Sequence, residues 1–158
     1  MTEPRADRPH MPDYRISRDK DGLLPWSWAR ERLDASHNYW VATTRPDGQP
    51  HVTAVWGVWL GDVFYFSMGA TSRKARNLAA NTSCTVTTEH ADEAVIVEGK
   101  FAGAADASVQ ATVRDAYKRK YDWDTEGYDF FAVRPLLAFA FTESAASFAQ
   151  TATRWRFA

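Results

Sequence analysis

Cysteine is almost missing from this chain: Cys84 stands alone, so neither an internal disulfide framework nor a cysteine-based zinc site can form. That usage fits a reducing compartment, and the cytoplasm is the expected location. Long apolar runs are missing too. None approaches the roughly 18 residues of a spanning helix, and the N-terminus lacks the basic-then-apolar order of a signal peptide, so a soluble chain with no membrane partner is expected. Neither sign of charge dominates: 19 Lys plus Arg face 20 Asp plus Glu, a net charge of −1. A general nucleic-acid binder, whose affinity comes from phosphate neutralisation, is not expected. The eight glycines never spell a dinucleotide fingerprint or a phosphate-binding P-loop, and G-x-S-x-G and H-E-x-x-H are both absent. His10, His37, His51 and His90 are too scattered to suggest metal ligation, so no metal site is expected.

Aromatic residues, in contrast, are plentiful: 14% of the chain, with seven Trp, six Tyr and nine Phe. Large flat side chains serve a sheet interior, a subunit interface or a planar ligand, and composition alone does not choose among them. The 158 residues suit one domain with a core that needs no staples.

Residues 1–22 hold Pro4, Pro9 and Pro12 among many charges and read as a flexible arm without a core of its own. Residues 23–158 read as the folded domain. A short helix is predicted from Pro25 through Leu33, with Ser27 as N-cap and Trp28, Leu33 and the Arg32 stem inward. Strands are predicted over 38–44, 50–60 and 63–67, because Pro46-Asp47-Gly48 and Gly61-Asp62 are hairpin signals between β-branched and aromatic runs. Along 50–60 both faces are apolar, so the second face needs cover from a helix, another subunit or a ligand. A helix over 72–80, strands over 84–89 and 94–101, a helix over 106–121 and strands over 136–141 and 155–157 complete the pattern. No strand-helix alternation of a parallel nucleotide-binding sheet appears. The predicted fold is mainly β (α+β): a six- to seven-stranded antiparallel barrel with peripheral helices.

One constellation carries chemistry. In Ser67-Met68-Gly69-Ala70-Thr71-Ser72-Arg73-Lys74-Ala75-Arg76 a strand ends, a glycine loop turns, and three cations crowd the start of a helix, where the dipole favours negative charge. An anion docked on the free N–H groups and the Ser72 hydroxyl would make that arrangement favourable, with Arg73 and Lys74 neutralising it. A solvated helix face without ligand is the competing reading. Thr53, Ala54, Val55 and Trp56 offer small or flat surfaces beside the loop, which suits a planar ring with a phosphorylated tail.

Taken together, Ala42-Thr43-Thr44-Arg45-Pro46-Asp47-Gly48-Gln49-Pro50-His51-Val52-Thr53, Val55-Trp56, Ser72-Arg73-Lys74-Ala75-Arg76-Asn77-Leu78, Val95-Ile96-Val97-Glu98-Gly99 and Thr153-Arg154-Trp155-Arg156-Phe157 resemble the pyridoxamine 5′-phosphate oxidase-like superfamily. The likeness is nearest to its actinobacterial flavin/deazaflavin oxidoreductase branch and covers residues 25–158. It implies a split β-barrel that forms a homodimer, with cofactor sites at the subunit interface. It also implies that Arg73 and Lys74 hold the cofactor phosphate, that Thr53, Ala54, Val55, Trp56, Ser67 and Met68 line the ring and ribityl region, and that Ser72 and Arg76 assist. FMN-binding oxidases of the superfamily usually carry arginine where Thr53 falls and glutamine near Ala94, and the Arg/His substrate motif of true pyridoxamine phosphate oxidases has no counterpart after Trp155. The resemblance therefore favours the deazaflavin coenzyme F420, with FMN as the alternative cofactor and a non-catalytic cofactor- or haem-binding barrel, presenting His51 or His90, as the third reading. Under the first, hydride passes to a conjugated small molecule. No catalytic side chain is assigned, Tyr65 is one candidate proton donor, and Trp26, Trp56, Trp59, Trp123 and Tyr128 are candidates for the acceptor wall.

Overall fold

A left-handed glycine at each of two turns, Gly48 (φ 85°) and Gly61 (φ 61°), folds the first part of the sheet, because tight hairpins need a positive φ that glycine adopts without a Cβ penalty. The structure, a computed structural model, describes residues 3–16 and 18–158. Strand β2 (Tyr39–Thr44) pairs antiparallel with β3 (Pro50–Val55), from Tyr39 opposite Val55 to Thr44 opposite Pro50. The strand expected over 50–60 is in fact two. The chain breaks at Trp56, and β4 (Gly57–Leu60) leaves β2 to pair with β5 (Val63–Ser67). Gly57 permits the change of direction: a Cβ there would stand 2.2 Å from Phe64 Cζ, inside its van der Waals envelope.

That switch closes the barrel. Strand β2 also pairs with β6 (Ser83–Thr88), β6 with β7 (Val95–Ala104), β7 with β8 (Phe130–Ala140), and β8 with β5. Counting β3 and β4 as one bent strand, six strands form a continuous ring, consistent with the split β-barrel. Strand β8 serves two partners on one edge: residues 130–133 face β5, whereas 137–140 face β9 (Thr153–Arg156). Pro135, which has no N–H to give, lies between the two segments. Sequence reading places the strand only at 136–141, since the Phe130 half follows an irregular loop and lacks an alternating pattern.

Residues 5–7 of the expected arm form strand β1 (Arg5–Asp7) on the outer edge of β9. The Asp7 carboxylate accepts from Arg154 Nε at 2.7 Å and from Arg156 Nε at 3.2 Å. The Arg8 guanidinium donates to the carbonyls of Asp19, Asp21, Gln150 and Ala152. Residues 1, 2 and 17 of the arm lie outside the described residues.

Among the described residues, four α-helices accompany the sheet. Helix α1 (Trp26–Ala35) buries Trp26, Ala29 and Leu33 against Val95, Val97, Ala138 and Trp155. Pro25, not Ser27, occupies its N-cap position, and Trp28 is only half-buried, with the Arg32 guanidinium 3.6 Å above its ring. Helix α2 (Arg73–Ala80) drops Leu78 into a cluster with Tyr39, Val41, Phe64, Phe66 and Val86. Helix α3 (Ala107–Tyr121) packs Val113, Ala116 and Tyr117 on Val58, Tyr65, Phe130 and Ala132. A fourth, α4 (Phe148–Thr151), precedes β9. Cys84 is buried in the α2 cluster, where desolvation pushes its thiol up to about 11, as suits a small core residue.

Candidate functional site

Helix α2 begins with Ser72, whose Oγ accepts from the Ala75 amide at 3.1 Å while its own amide donates to Gly69 O at 3.0 Å. This serine cap satisfies one of the orphan N–H groups of the first turn. Among the described residues, the Arg73 and Lys74 amides have no backbone acceptor outside the helix, and the geometry of an α-helix gives its first positions none within. No acidic residue stands in that turn, and no ion pair engages Arg73, Lys74 or Arg76 among the described residues. Arg73 and Arg76 are exposed, whereas Lys74 is half-buried, and desolvation holds its ammonium below the ordinary lysine range. Three unpaired cations and two free amides at one helix start are complementary to a phosphate-bearing ligand.

The inner face of α2 is anchored by polar groups that sequence periodicity does not flag. Asn77, fully buried, donates from Nδ2 to Thr43 Oγ1 at 2.9 Å. Three buried polar atoms of α2 and β3 have no hydrogen-bond partner among the described residues: Asn77 Oδ1, His51 Nδ1 and Thr53 Oγ1, with His51 opposite Thr43 and Thr53 opposite Val41. All three atoms are shielded from solvent, so they belong to the interior that seats α2 rather than to a surface that a ligand could touch.

The expected ring-lining residues divide between two faces of β3. Thr53 and Val55 are half-buried on the inner side, where Val55 and Met68 pack on the Leu78 cluster of α2. Ala54 and Trp56 are exposed on the other side. Ser67 ends β5 next in register to Trp56, since Gly57 faces Phe66. Tyr117 Oη donates to Trp56 O at 2.6 Å, and the Ser67 backbone lies beside the same hydroxyl. Thr53, Val55 and Met68 thus share the side of the sheet that α2 covers, whereas the Trp56 ring turns toward α3 and stacks on Tyr121 at 4.6 Å, nearly parallel.

Of the aromatic residues expected to wall an acceptor, Trp26 is a core residue, 4% exposed, and Trp59 packs partly buried between two core clusters. Their apolar surroundings fill both roles without a ligand. Trp56 and Trp123 meet edge to face at 6.2 Å. Tyr128 is exposed, and Tyr65 is buried under α3.

The family model of pyridoxamine 5′-phosphate oxidase matches residues 28–147. The chain belongs to the pyridoxamine 5′-phosphate oxidase-like family. No curated protein matches it significantly. Among solved structures, an F420 reductase is similar at 24% identity over 69% of this chain and 94% of its own, with a TM-score of 0.57. A FAD-binding protein from Mesorhizobium loti is similar at 19% identity, covering 85% of this chain and 96% of its own, with a TM-score of 0.60. The heme storage protein HutZ from Vibrio cholerae is similar at 14% identity over 70% and 86% of the two chains, with a TM-score of 0.56. These likenesses carry the fold. Within one family barrel they span a deazaflavin reductase, a flavin-binding protein and a haem protein, so cofactor choice rests on the residues of each site.

Proposed function

We propose that this protein is an oxidoreductase that binds the deazaflavin coenzyme F420 and directs hydride from it to a conjugated small molecule. The observation that carries the reading is the half-buried, unpaired Lys74 ammonium beside the free Arg73 and Lys74 amides at the start of α2. Burying a cation without a counter-ion is costly, and a phosphate group supplies one. FMN carries the same kind of anchor, but Thr53 stands where FMN-binding members usually present arginine, which favours the deazaflavin. A haem-binding role would need His51 or His90 presented to iron. The His90 side chain is 81% exposed.

When bound, the cofactor supplies a hydride, and the protein's own residues do the rest. Ser72, Arg73 and Lys74 would hold the anionic tail, with Arg76 adding charge from the next turn. Thr53, half-buried with its Oγ1 shielded from solvent, would back the ring-binding strand from the α2 side. Val55 and Met68, packed into the core under α2, would back the strand, and Ala54, Trp56 and Ser67 would border the ring system on the opposite face, toward α3. No side chain serves as nucleophile; positioning two planes in a dry pocket is the catalytic task.

The site is proposed to be completed by a second copy of the chain. The outer sheet face exposes Trp40, Val52 and Leu136, 46%, 53% and 49% exposed respectively, beside a cavity of about 410 Å³ whose lining mixes Ala42, Pro50 and Leu137 with Ser83, Glu98 and Lys100. Three large apolar side chains exposed on one sheet face favour burial against a partner. A cytoplasmic location accords with the lone cysteine.

Fluorescence titration with F420 and, separately, FMN tests the cofactor reading. Micromolar or tighter F420 binding with weak FMN binding is expected. Preferential FMN binding moves the protein to the flavin class, and binding of neither, with iron-porphyrin bound instead, favours the haem reading.

A further inference from the structure

At the break between β3 and β4, three residues of the last turn of α3 grip two consecutive backbone units. Tyr117 Oη donates to Trp56 O at 2.6 Å, the Gly57 amide donates to Tyr121 Oη at 2.9 Å, and Lys120 Nζ donates to Gly57 O at 3.3 Å. The spacing of three and four residues puts these side chains on one face of the helix. Tyr121 also fills one face of the Trp56 ring at 4.6 Å and 6° between planes, and His37 packs edge-on against both rings. Trp123, just past the helix, meets Trp56 at 75°. The result is a rigid aromatic corner, yet Trp56 is 39% and Trp123 51% exposed.

A tryptophan clamped through its backbone and stacked on one side, but left open to water, differs from a loosely exposed apolar residue. Its conformational entropy is already spent, so a ring laid against it loses little freedom on binding. The adjoining cavity, about 450 Å³, is lined by Trp123 together with Arg114, Lys118, Asp115, Asp124 and Glu126. Cations and carboxylates interleave there, so no field of one sign selects a charged ligand. Flat, pre-ordered aromatic surface is what the corner offers, and edge-to-face and stacked contacts with a planar ring are what such surface favours.

We infer that Trp56 and Trp123, backed by Tyr121, form the subsite for the electron acceptor, and that the acceptor presents a planar, uncharged, conjugated ring. Trp56 and Trp123 are binding residues in this scheme, and Tyr121 is a positioning residue that acts through Trp56. The acceptor role rests on the proposed oxidoreductase function; the ring-binding site itself does not require it.

The test uses the full chain and calorimetric titration with naphthol as the planar probe and cyclohexanol as a non-planar control, both without cofactor. Naphthol is expected to bind and cyclohexanol not to. Trp123→Ala and Tyr121→Leu should each weaken naphthol about tenfold, whereas Tyr121→Phe, which keeps the stack, should retain it; circular dichroism checks that each variant folds. The near-ultraviolet dichroism of the Trp56–Tyr121 stack should change in Tyr121→Leu and persist in Tyr121→Phe, a signature that a merely structural loss of stability would not separate. No naphthol binding to the parent protein, equal binding of cyclohexanol, or unchanged binding in Trp123→Ala overturns the proposal. So does a shift from dimer to monomer in Trp123→Ala without loss of naphthol affinity, which would make the corner a contact between copies. Naphthol binding with no F420 binding removes the cofactor reading and the acceptor role but leaves the ring site; F420 binding without naphthol binding does the reverse.

Discussion

Asn77 Nδ2 donates to Thr43 Oγ1 at 2.9 Å inside the protein, and this bond ties the cationic helix α2 to strand β2. Both residues are buried, so the contact sits where water cannot substitute for either partner. The helix that carries Arg73 and Lys74 is thereby tied in rotation to β2.

Replacing Asn77 by Ala leaves Thr43 Oγ1 with only a long 3.5 Å contact to His51 O. A loss of about 1–3 kcal/mol in urea-denaturation free energy is expected, the range for a buried hydrogen-bonding group stripped of its partner. F420 affinity should fall together with stability, because the rotation of α2 is no longer fixed. Unchanged stability in Asn77→Ala would show that Leu78 packing alone seats the helix.

Gly57→Ala sets a methyl group 2.2 Å from the Phe64 ring, with Tyr65 O at 3.0 Å on another side. Phe64 is fully buried and stacked near Phe66, so it has little room to give. Destabilisation of about 1–3 kcal/mol, the usual range for overpacking, is expected in thermal or chemical unfolding.

Much of the barrel is legible in the sequence, for identifiable reasons. Gly48 and Gly61 mark the hairpins, and the 3.6-residue period of Val109, Val113, Ala116 and Tyr117 marks α3 within one residue of its start. The break at Trp56 is not legible, because apolar residues continue unbroken through Trp56-Gly57-Val58-Trp59; the bend depends on Phe64 lying under Gly57, a contact between strands. Strand β1 is hidden because its three residues, Arg-Ala-Asp, carry no apolar alternation and gain their place from Arg154 and Arg156, far away in sequence. In the candidate site, Lys74 is visible from local charge, whereas the buried Asn77–Thr43 bond is not, because polar residues turned inward break the amphipathic pattern that sequence reading relies on.

Asp7 gives an acid-side prediction. Its hydrogen bonds to Arg154, and then those to Arg156, hold its carboxyl below the usual 3.8 despite partial burial. A depressed carboxyl contributes stability that is fully present above the unfolded value and is lost as pH falls through the folded one. The parent protein should therefore lose stability below about pH 4 more steeply than Asp7→Asn, which should be less stable at neutral pH. Hydrogen exchange at residues 5–7 and 154–156 should rise together in that variant, locating the effect at β1 and β9.

Lys120 predicts the opposite limb. Burial pulls its ammonium down to about 8, with Asp34 and Glu89 opposing that shift. Between that value and the unfolded value of 10.5 the unfolded chain binds the extra proton, so stability rises with pH across this window. Lys120→Met should lose that rise between about pH 8 and 10, as read from melting temperatures against pH. Tyr39, Tyr117 and Tyr121, all raised by burial, remain protonated in the folded state over that range.

Affinity for F420 in the parent protein against Lys74→Ala, measured by fluorescence titration, tests the central claim most directly. Removing a charge-assisted contact to the phosphate should weaken binding by about 10- to 100-fold, with Lys74→Arg recovering most of the loss. Equal affinity in the parent and Lys74→Ala would contradict the assignment of the α2 helix start as the cofactor's anion clamp.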